Sequence, residues 1–250
     1  MTINSDINII GGLPDFNLIL HFFENAVVAH DQSAHYGYTS IKTMKSVNRF
    51  EKAINETLLK VHNNKVHILI DNMLSSEGIS ADSLILLFWN ASFNNQLLNY
   101  LNEQIYFPCY YNGRLSIKQD EVVACLKDLS LTEPELKKWS DSTIIITASK
   151  YLTLLKKFNL MEGALHKTIS HPYLNDKMLV NFVYWVSAIE PNTNFINSPW
   201  TKYSFMEQGV LVDRLIQKKF SKYFDVWYTG DKLNIKPPLT YGNIYETPII

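Results

Sequence analysis

The sequence is poor in cysteine, in glycine and in net charge. It has two cysteines and nine glycines among 250 residues, and its 23 basic and 24 acidic residues give a formal charge of −1. Two cysteines in a chain of this size predict reduced core thiols rather than a disulfide framework. The balanced charge argues against a nucleic-acid coat held by electrostatics alone, because strongly basic domains are the usual footprint of such proteins. Binding to DNA would need a local patch or a larger complex.

Long apolar runs are also missing. The longest strongly apolar run is Leu84–Trp89, far below the ~20 residues that span a bilayer. The N-terminus MTINSDINII has neither the basic stretch nor the apolar core of a secretory signal. These features predict a soluble, cytoplasmic protein without a membrane partner.

Motifs of catalysis and cofactor binding are absent from the sequence. The histidine pairs His30/His35 and His62/His67 are five residues apart, which does not stack ligands on one helical face, so no metal site is predicted. Gly11–Gly12 lacks the further glycines and the Lys–Ser/Thr of a phosphate loop, and no nucleophile elbow occurs. Although a triad assembled in space leaves no sequence pattern, we expect a protein that is not an enzyme and has no cofactor.

Apolar residues at helical spacing dominate the rest of the chain and predict a mainly α fold. The apolar content of 46% is enough to fill a sizeable core. Aromatic residues between Tyr106 and Tyr111 fit either a base-stacking platform or, more commonly, a core or a partner interface. Helices are predicted at Phe16–His30, Ser40–His62, Val66–Leu74, Ala81–Ser92, Gln96–Phe107, Ser116–Leu129, Ser142–Phe158, Asn175–Ala188 and Glu207–Phe220.

The segment from Trp139 to His171 is the most informative part of the sequence. Ser140, Asp141 and Ser142 are N-cap candidates, and the apolar residues that follow keep a helical period up to Phe158. The pattern then breaks into two short extended stretches around Gly163. A capped helix followed by a ribbon predicts a winged-helix-like module, in which the helix can enter a DNA groove and the ribbon can touch the backbone.

The chain divides most clearly at Pro108–Gly113, where proline and glycine interrupt the helical pattern. We therefore predict an N-terminal helical bundle at residues 1–107 and the winged-helix-like module at 108–250. The second part also contains a C-terminal helix, a hairpin of Asp225–Tyr228 and Lys232–Lys236, and an extended tail from Pro237.

Two polar stripes are the candidate DNA-binding residues. One lies on the helix of the module and the other on the long N-terminal helix, and each could instead be an ordinary solvated face. The apolar residues Ile144, Ala148, Tyr151, Leu152, Leu155 and Phe158 are predicted to face inward. The candidate contacts are Ser142, Thr143, Thr147 and Lys150 on the first helix and Lys42, Lys45 and Arg49 on the second.

The sequence resembles the BrxA family of BREX phage-defence systems. The resemblance is strongest over Glu133–Gly163, which has a Pro, then Trp–Ser–x–Ser–Thr, then a helix ending near Leu–x–x–Gly. Weaker likeness extends over Ser40–Leu58, Leu86–Leu98 and Val210–Ile235, so that most of residues 8–236 are covered. Family members are rich in arginine, whereas this chain is nearly neutral.

The resemblance implies a non-enzymatic, mainly helical accessory protein of anti-phage defence. It would bind double-stranded DNA and act beside the methyltransferase and the ATPase of the system. Two alternatives stay open. The protein could be an adaptor that docks to other defence components without touching DNA, or a winged-helix transcription regulator that binds a specific operator as a dimer.

Overall fold

The computed structural model describes residues 3–27, 41–163, 167–191 and 193–247, and the side chains of residues 25–27 are left aside. The chain forms two compact units. Unit 1 comprises residues 1–60 and 78–171, and unit 2 comprises residues 61–77 and 172–250. The boundary predicted at residues 107/108 lies inside unit 1, and the division into two domains at that point stays a prediction.

Unit 1 is built from helices, with one small ribbon near its C-terminal end. As predicted, the described part of the chain is mainly α with a small β-wing. The helices of unit 1 are α1 (Asp6–Ile10), α2 (Leu18–Val27), α3 (Met44–Thr57), α5 (Ala81–Asn94), α6 (Gln96–Leu101), α7 (Phe107–Tyr111), α8 (Gln119–Thr132) and α9 (Asp141–Lys157). Its ribbon is β1 (Met161–Glu162) and β2 (Thr168–Ile169).

The long helix predicted from Ser40 to His62 is wrong in its bounds. Thr43 caps the helix by accepting a hydrogen bond from Ser46 N–H, so α3 begins at Met44, and α3 ends at Thr57. Beyond this end, the side-chain amide of Asn90 donates to the carbonyls of Leu58 and Lys60, at 2.8 and 2.9 Å. The amide supplies partners for carbonyls that a continued helix would have paired itself. Ser40 lies outside the described residues, as does the predicted end of α2 at His30.

Within the break predicted at Pro108–Gly113, the helix ends only after Tyr111. A π-helical segment, Asn102–Tyr106, joins α6 to α7, and the chain stays helical through Pro108 up to Tyr111. Pro108 occupies the first turn of α7, where its missing N–H is tolerated. Gly113, with φ of +66°, follows the helix end. The aromatic residues Tyr106 and Phe107 are buried, in agreement with the core interpretation of this run.

The elements from Ser116 to Ile169 follow the order β-bridge, helix, turn, helix, ribbon. The segment predicted as the start of a helix at Ser116 is instead extended and bridges Thr168, so α8 begins only at Gln119. Ile169 N–H also donates to the Leu115 carbonyl at 2.8 Å, so an isolated β-bridge links this segment to the two-stranded ribbon of β1 and β2. A 3-10 turn, Leu136–Lys138, separates α8 from α9.

Unit 2 combines three longer elements with a hairpin. Its helices are α4 (Asn64–Glu77), α10 (Asp176–Ile189), α11 (Gln208–Leu215) and the short α12 (Asn243–Glu246), and its strands are β3 (Asp225–Tyr228) and β4 (Leu233–Lys236). The strands pair antiparallel as predicted, with Trp227 opposite Asn234. The predicted helix Glu207–Phe220 ends at Leu215 and continues as a 3-10 turn. The tail is not wholly extended, since it forms α12.

Candidate nucleic-acid interface

Helix α9 begins at a serine cap, as the sequence predicts. The Ser140 hydroxyl oxygen accepts the backbone N–H of Thr143 at 3.2 Å and lies 2.9 Å from the Thr143 hydroxyl. Thr143 is half-buried within this cap, whereas Ser142 is exposed in the first turn. The cap supplies an acceptor for one of the orphan N–H groups of the first turn and fixes where the helix starts.

The inner face of α9 is the face that its apolar period predicts. Tyr151 adds a polar contact to this face, because its hydroxyl donates to Asn102 Oδ1 at 3.0 Å, and Asn102 Nδ2 donates to Ser92 Oγ at 3.0 Å. The chain of hydrogen bonds joins α9 to the π-helical segment and to α5 inside the core. The predicted inward residues Ile144, Ala148, Tyr151, Leu152, Leu155 and Phe158 are all buried.

A second buried side of α9 was missed by the sequence analysis. Thr147, expected on the exposed polar side, is completely buried. Its hydroxyl donates to the Thr143 carbonyl at 2.8 Å and accepts the Asn8 side-chain amide of α1 at 3.0 Å. A threonine hydroxyl can be buried in a helix when the carbonyl four residues earlier accepts its proton. The predicted orientation of Thr147 toward solvent is therefore wrong.

Gly11 lets the end of α1 approach α9 closely. A Cβ atom on Gly11 would lie 2.7 Å from the carbonyl oxygen of Lys150, and one on Gly12 would lie 3.5 Å from Lys150 Nζ. Lys150 is consequently half-buried beside the end of α1 rather than in the middle of an open polar face. A glycine is needed where backbones approach this closely, because any larger residue adds a Cβ atom at the contact.

Lys157 lies on the same covered side of the helix. Its ammonium group donates to the Leu13 carbonyl and lies 5.3 Å from the centre of the Phe16 ring. Burial, together with the nearby charge of Lys150, lowers the pKa of Lys157 to about 8. The protonated group is thus less stable here than in water, although the carbonyl and the ring face both favour a cation.

The surface that α9 leaves open lies on the opposite side of the helix. Ser142, Ile145, Ile146 and Lys156 are exposed, and Ser149 and Thr153 are partly exposed between them. Ile145 and Ile146 expose 48% and 52% of their surface. This open face therefore carries hydroxyls and one lysine, together with two apolar side chains that the sequence analysis did not assign to it.

The ribbon adds a cation beside this open face. Lys167, just before β2, places its Nζ 3.4 Å from Thr153 Oγ1. Burial and the charge of Lys156 together lower the pKa of Lys167. Two lysines from different elements thus border Thr153, and the sequence spacing alone could not show that the ribbon reaches this part of α9.

The second predicted stripe belongs to the start of α3. Lys45 and Arg49 are exposed on the helix, whereas Lys42 is exposed just before the cap and is not part of the helix. Lys52 continues the stripe and lies 3.9 Å from Glu56, an exposed i, i+4 pair. All three predicted residues of this stripe are accessible to a partner.

The part of the chain that the structure describes contains no group of three or more His, Cys, Asp or Glu arranged to hold a metal ion. Within the same residue ranges, no helix has the length and apolar character needed to cross a bilayer.

The arrangement defines a mainly helical protein whose α9 and β-wing present one open face. Comparison with known families then gives a specific relationship: residues 69–182 match the model of the BrxA family. The match includes the whole of α9 and the ribbon, and it confirms the resemblance that the sequence predicts. No curated protein matches the chain, and no solved structure matches it. Proteins of the BrxA family are components of BREX phage-defence systems.

Proposed function

We propose that this protein is a non-enzymatic DNA-binding accessory component of a BREX-type defence system, working in the cytoplasm beside the methyltransferase and the ATPase. The observation that carries the proposal is the order of elements in the Ser116–Ile169 module. A segment that forms a β-bridge precedes α8, a connection with one 3-10 turn joins α8 to α9, and the ribbon returns to pair with that segment. A winged helix-turn-helix has this order, and its second helix enters the major groove.

The surface chemistry supports contact with DNA on the open face of α9. Serine and threonine hydroxyls donate to phosphates and to base edges, while lysines supply point charges for the backbone. Ser142, Ser149 and Thr153 provide the hydroxyls, and Lys156 and Lys167 provide the charges. Our proposal therefore places no contact at Thr147, which α1 covers, or at Lys150, which is half-buried beside α1, and it keeps Ser142.

The second stripe offers a separate backbone contact. Lys42, Lys45 and Arg49 are exposed, and an exposed arginine can bind a phosphate with two hydrogen bonds. We propose that this stripe contributes phosphate contacts without reading sequence, since phosphate contacts carry no direct sequence information.

Charge reversal tests the two surfaces independently. Binding of a labelled duplex should weaken for Lys156→Glu by a similar factor on every DNA sequence, because lysine adds charge rather than a bidentate base contact. Lys45→Glu tests the stripe on α3 in the same way. Lys60→Glu is the matched control, since it makes the same charge change at an exposed residue outside both surfaces. Equal duplex affinity of Lys156→Glu and Lys60→Glu, with both proteins folded, would remove α9 from the DNA site.

The adaptor alternative rests on the apolar part of the same face. Ile145 and Ile146, which are adjacent on α9, are each about half exposed. Exposed apolar side chains gathered on one surface favour a protein partner. Purified methyltransferase or ATPase of the system should co-elute with the wild-type protein but not with Ile146→Asp if this alternative is correct. Co-elution that survives this change would count against docking through α9.

A further inference from the structure

Trp227 lines two open cavities of unit 2. It lies in β3 opposite Asn234 of β4, and 53% of its surface is exposed. The larger cavity has a volume of about 440 Å³, and the smaller has a volume of about 280 Å³. An exposed indole ring that lines both cavities offers a large flat face to a ligand.

Each of the two cavities contains a lysine. Lys65 and Lys236 line the larger cavity, and Lys218 lines the smaller one. The Lys65 ammonium group lies 5.5 Å from the centre of the Tyr241 ring, at the inner wall of the larger cavity. Lysines thus line both cavities that Trp227 borders, as a ligand with several negative charges along its length would require.

The acidic groups that line the two cavities are fewer than the lysines. Glu190 lines the larger cavity, and its Oε2 accepts the Ser198 hydroxyl at 2.6 Å. Asp225 lines the smaller cavity and lies opposite Lys236 across the hairpin. The cavity linings therefore include three lysines against two carboxylates, one of which already accepts a hydroxyl proton.

We propose that the Trp227 surface binds a segment of single-stranded nucleic acid. One base stacks on the indole, and the phosphates on either side lie near the lysines of the two cavities. Proteins that bind single strands combine a cationic groove with aromatic side chains in this way. A free nucleoside monophosphate carries a phosphate for only one of the two cavities, and a duplex keeps its bases stacked inside, away from the ring. This site belongs to unit 2, whereas the α9 surface of the proposed function belongs to unit 1, and it takes a different form of nucleic acid.

The first test measures binding of a fluorescein-labelled dT12 oligonucleotide to the full chain at low salt, by fluorescence anisotropy. Trp227→Ala should weaken binding about fivefold or more, because it removes one stacked base. Trp227→Phe should retain part of the affinity. Tyr228→Ala is the matched control, since Tyr228 is the next residue of β3, is 46% exposed, and points to the other face of the hairpin. Equal affinity of Trp227→Ala and Tyr228→Ala for the oligonucleotide would overturn the proposal.

The lysines give a second, independent readout. Lys236→Ala and Lys65→Ala should each weaken binding and lower the slope of log affinity against log salt by about 0.7, the value for one phosphate contact on a single strand. An unchanged slope in both variants would contradict the phosphate contacts. Thymidine monophosphate should compete poorly with dT12, and competition at equal concentration would contradict a strand as the ligand.

Duplex binding separates this proposal from the proposed function. Trp227→Ala should leave affinity for a labelled duplex unchanged, while Lys156→Glu should leave affinity for dT12 unchanged. A loss of both kinds of binding in Trp227→Ala would show that the two forms of nucleic acid share one surface and would overturn the assignment of a separate site.

Discussion

The side-chain amide of Asn8 donates a hydrogen bond of 3.0 Å to the hydroxyl of Thr147, joining the first helix to the middle of α9. Sequence spacing predicts that this side of α9 is polar and faces solvent. In the structure it is buried under α1 at Thr147. The contact also decides which side of α9 is left for a partner, because α1 covers Thr147 and crowds Lys150.

Close packing of α1 on α9 predicts a cost for any side chain at residue 11. A Cβ atom on Gly11 would lie 2.7 Å from the Lys150 carbonyl and 2.8 Å from the Ile7 carbonyl. Gly11→Ala should therefore lower the free energy of unfolding by about 1–3 kcal/mol, the usual cost of overpacking. Urea denaturation measures it. Gly209→Ala in α11 is the control, because nothing lies within 4 Å of its Cβ, and it should be neutral or stabilising.

The inward face of α9 predicts a second stability difference. Leu152 is 4% exposed, and Leu152→Ala should cost roughly 2–5 kcal/mol through lost burial and a residual cavity. Ile146 of the same helix is 52% exposed, and Ile146→Ala should change stability by less than about 0.5 kcal/mol. Thermal denaturation of both variants gives the comparison. An unchanged midpoint for Leu152→Ala would mean that its inward orientation is wrong.

Lys157 predicts how stability depends on pH in the alkaline range. Its pKa is about 8 in the folded protein, whereas the ordinary pKa of a lysine is 10.5. Between these two pH values the unfolded chain therefore binds more protons than the folded protein. The contribution of this group to the free energy of unfolding should therefore rise with pH from about 8 to 10.5. Lys157→Met should remove this rise, which denaturation at pH 7, 8, 9 and 10 would detect. Lys156→Met is the control for loss of a lysine from the same turn.

An ion cluster around Asp176 in unit 2 predicts how stability depends on pH in the acidic range. Burial raises the pKa of Asp176, but hydrogen bonds from Lys219 and Arg214 outweigh it and hold the pKa below the ordinary 3.8. A carboxylate with a lowered pKa adds stability above its unfolded pKa and loses it as pH falls through the folded value. Asp176→Asn should destabilise the protein at pH 7 and converge with wild type in acid. Asp213→Asn, at an exposed residue of α11, is the control.

The near-neutral charge of the chain predicts a shallow salt dependence of duplex binding. With about three to five phosphate contacts, the slope of log affinity against log salt should be about −3 to −4.5. Titration of one duplex at several salt concentrations measures the slope. No detectable binding at very low salt would favour the adaptor alternative over DNA contact.

The sequence predicts much of α9 because apolar periodicity and a serine cap are local signals. Ser140 caps the helix, and the face of Ile144, Leu152 and Leu155 is buried as expected. The covering of α9 by α1 could not be predicted in the same way. Helix α1 has only five residues, too few for a period, and its contact with α9 uses an amide, a hydroxyl and the glycine at residue 11, which leave no apolar pattern.

The predicted bounds of helices are wrong where side chains that are distant in the sequence decide them. Helix α3 ends near Leu58, whose carbonyl is bonded by Asn90, a residue 32 positions away. The extended segment at Ser116 pairs with Thr168, which follows α9 in the sequence. Such partners are visible only in the folded chain, so local spacing assigned these residues to helices.

The second unit takes α4 from the middle of the sequence and its other elements from the C-terminal part, which has a consequence for how the protein is made. Lys177 of α10 pairs with Glu77 of α4 across 100 residues, and the Tyr245 hydroxyl donates to the Leu69 carbonyl across 176. During synthesis α4 leaves the ribosome long before α10, the helix of unit 2 that packs on it, and before Tyr245, which bonds the Leu69 carbonyl. A protein cut after residue 171 would keep α4 but lose α10 and the rest of unit 2. Neither unit can therefore be obtained by a single truncation.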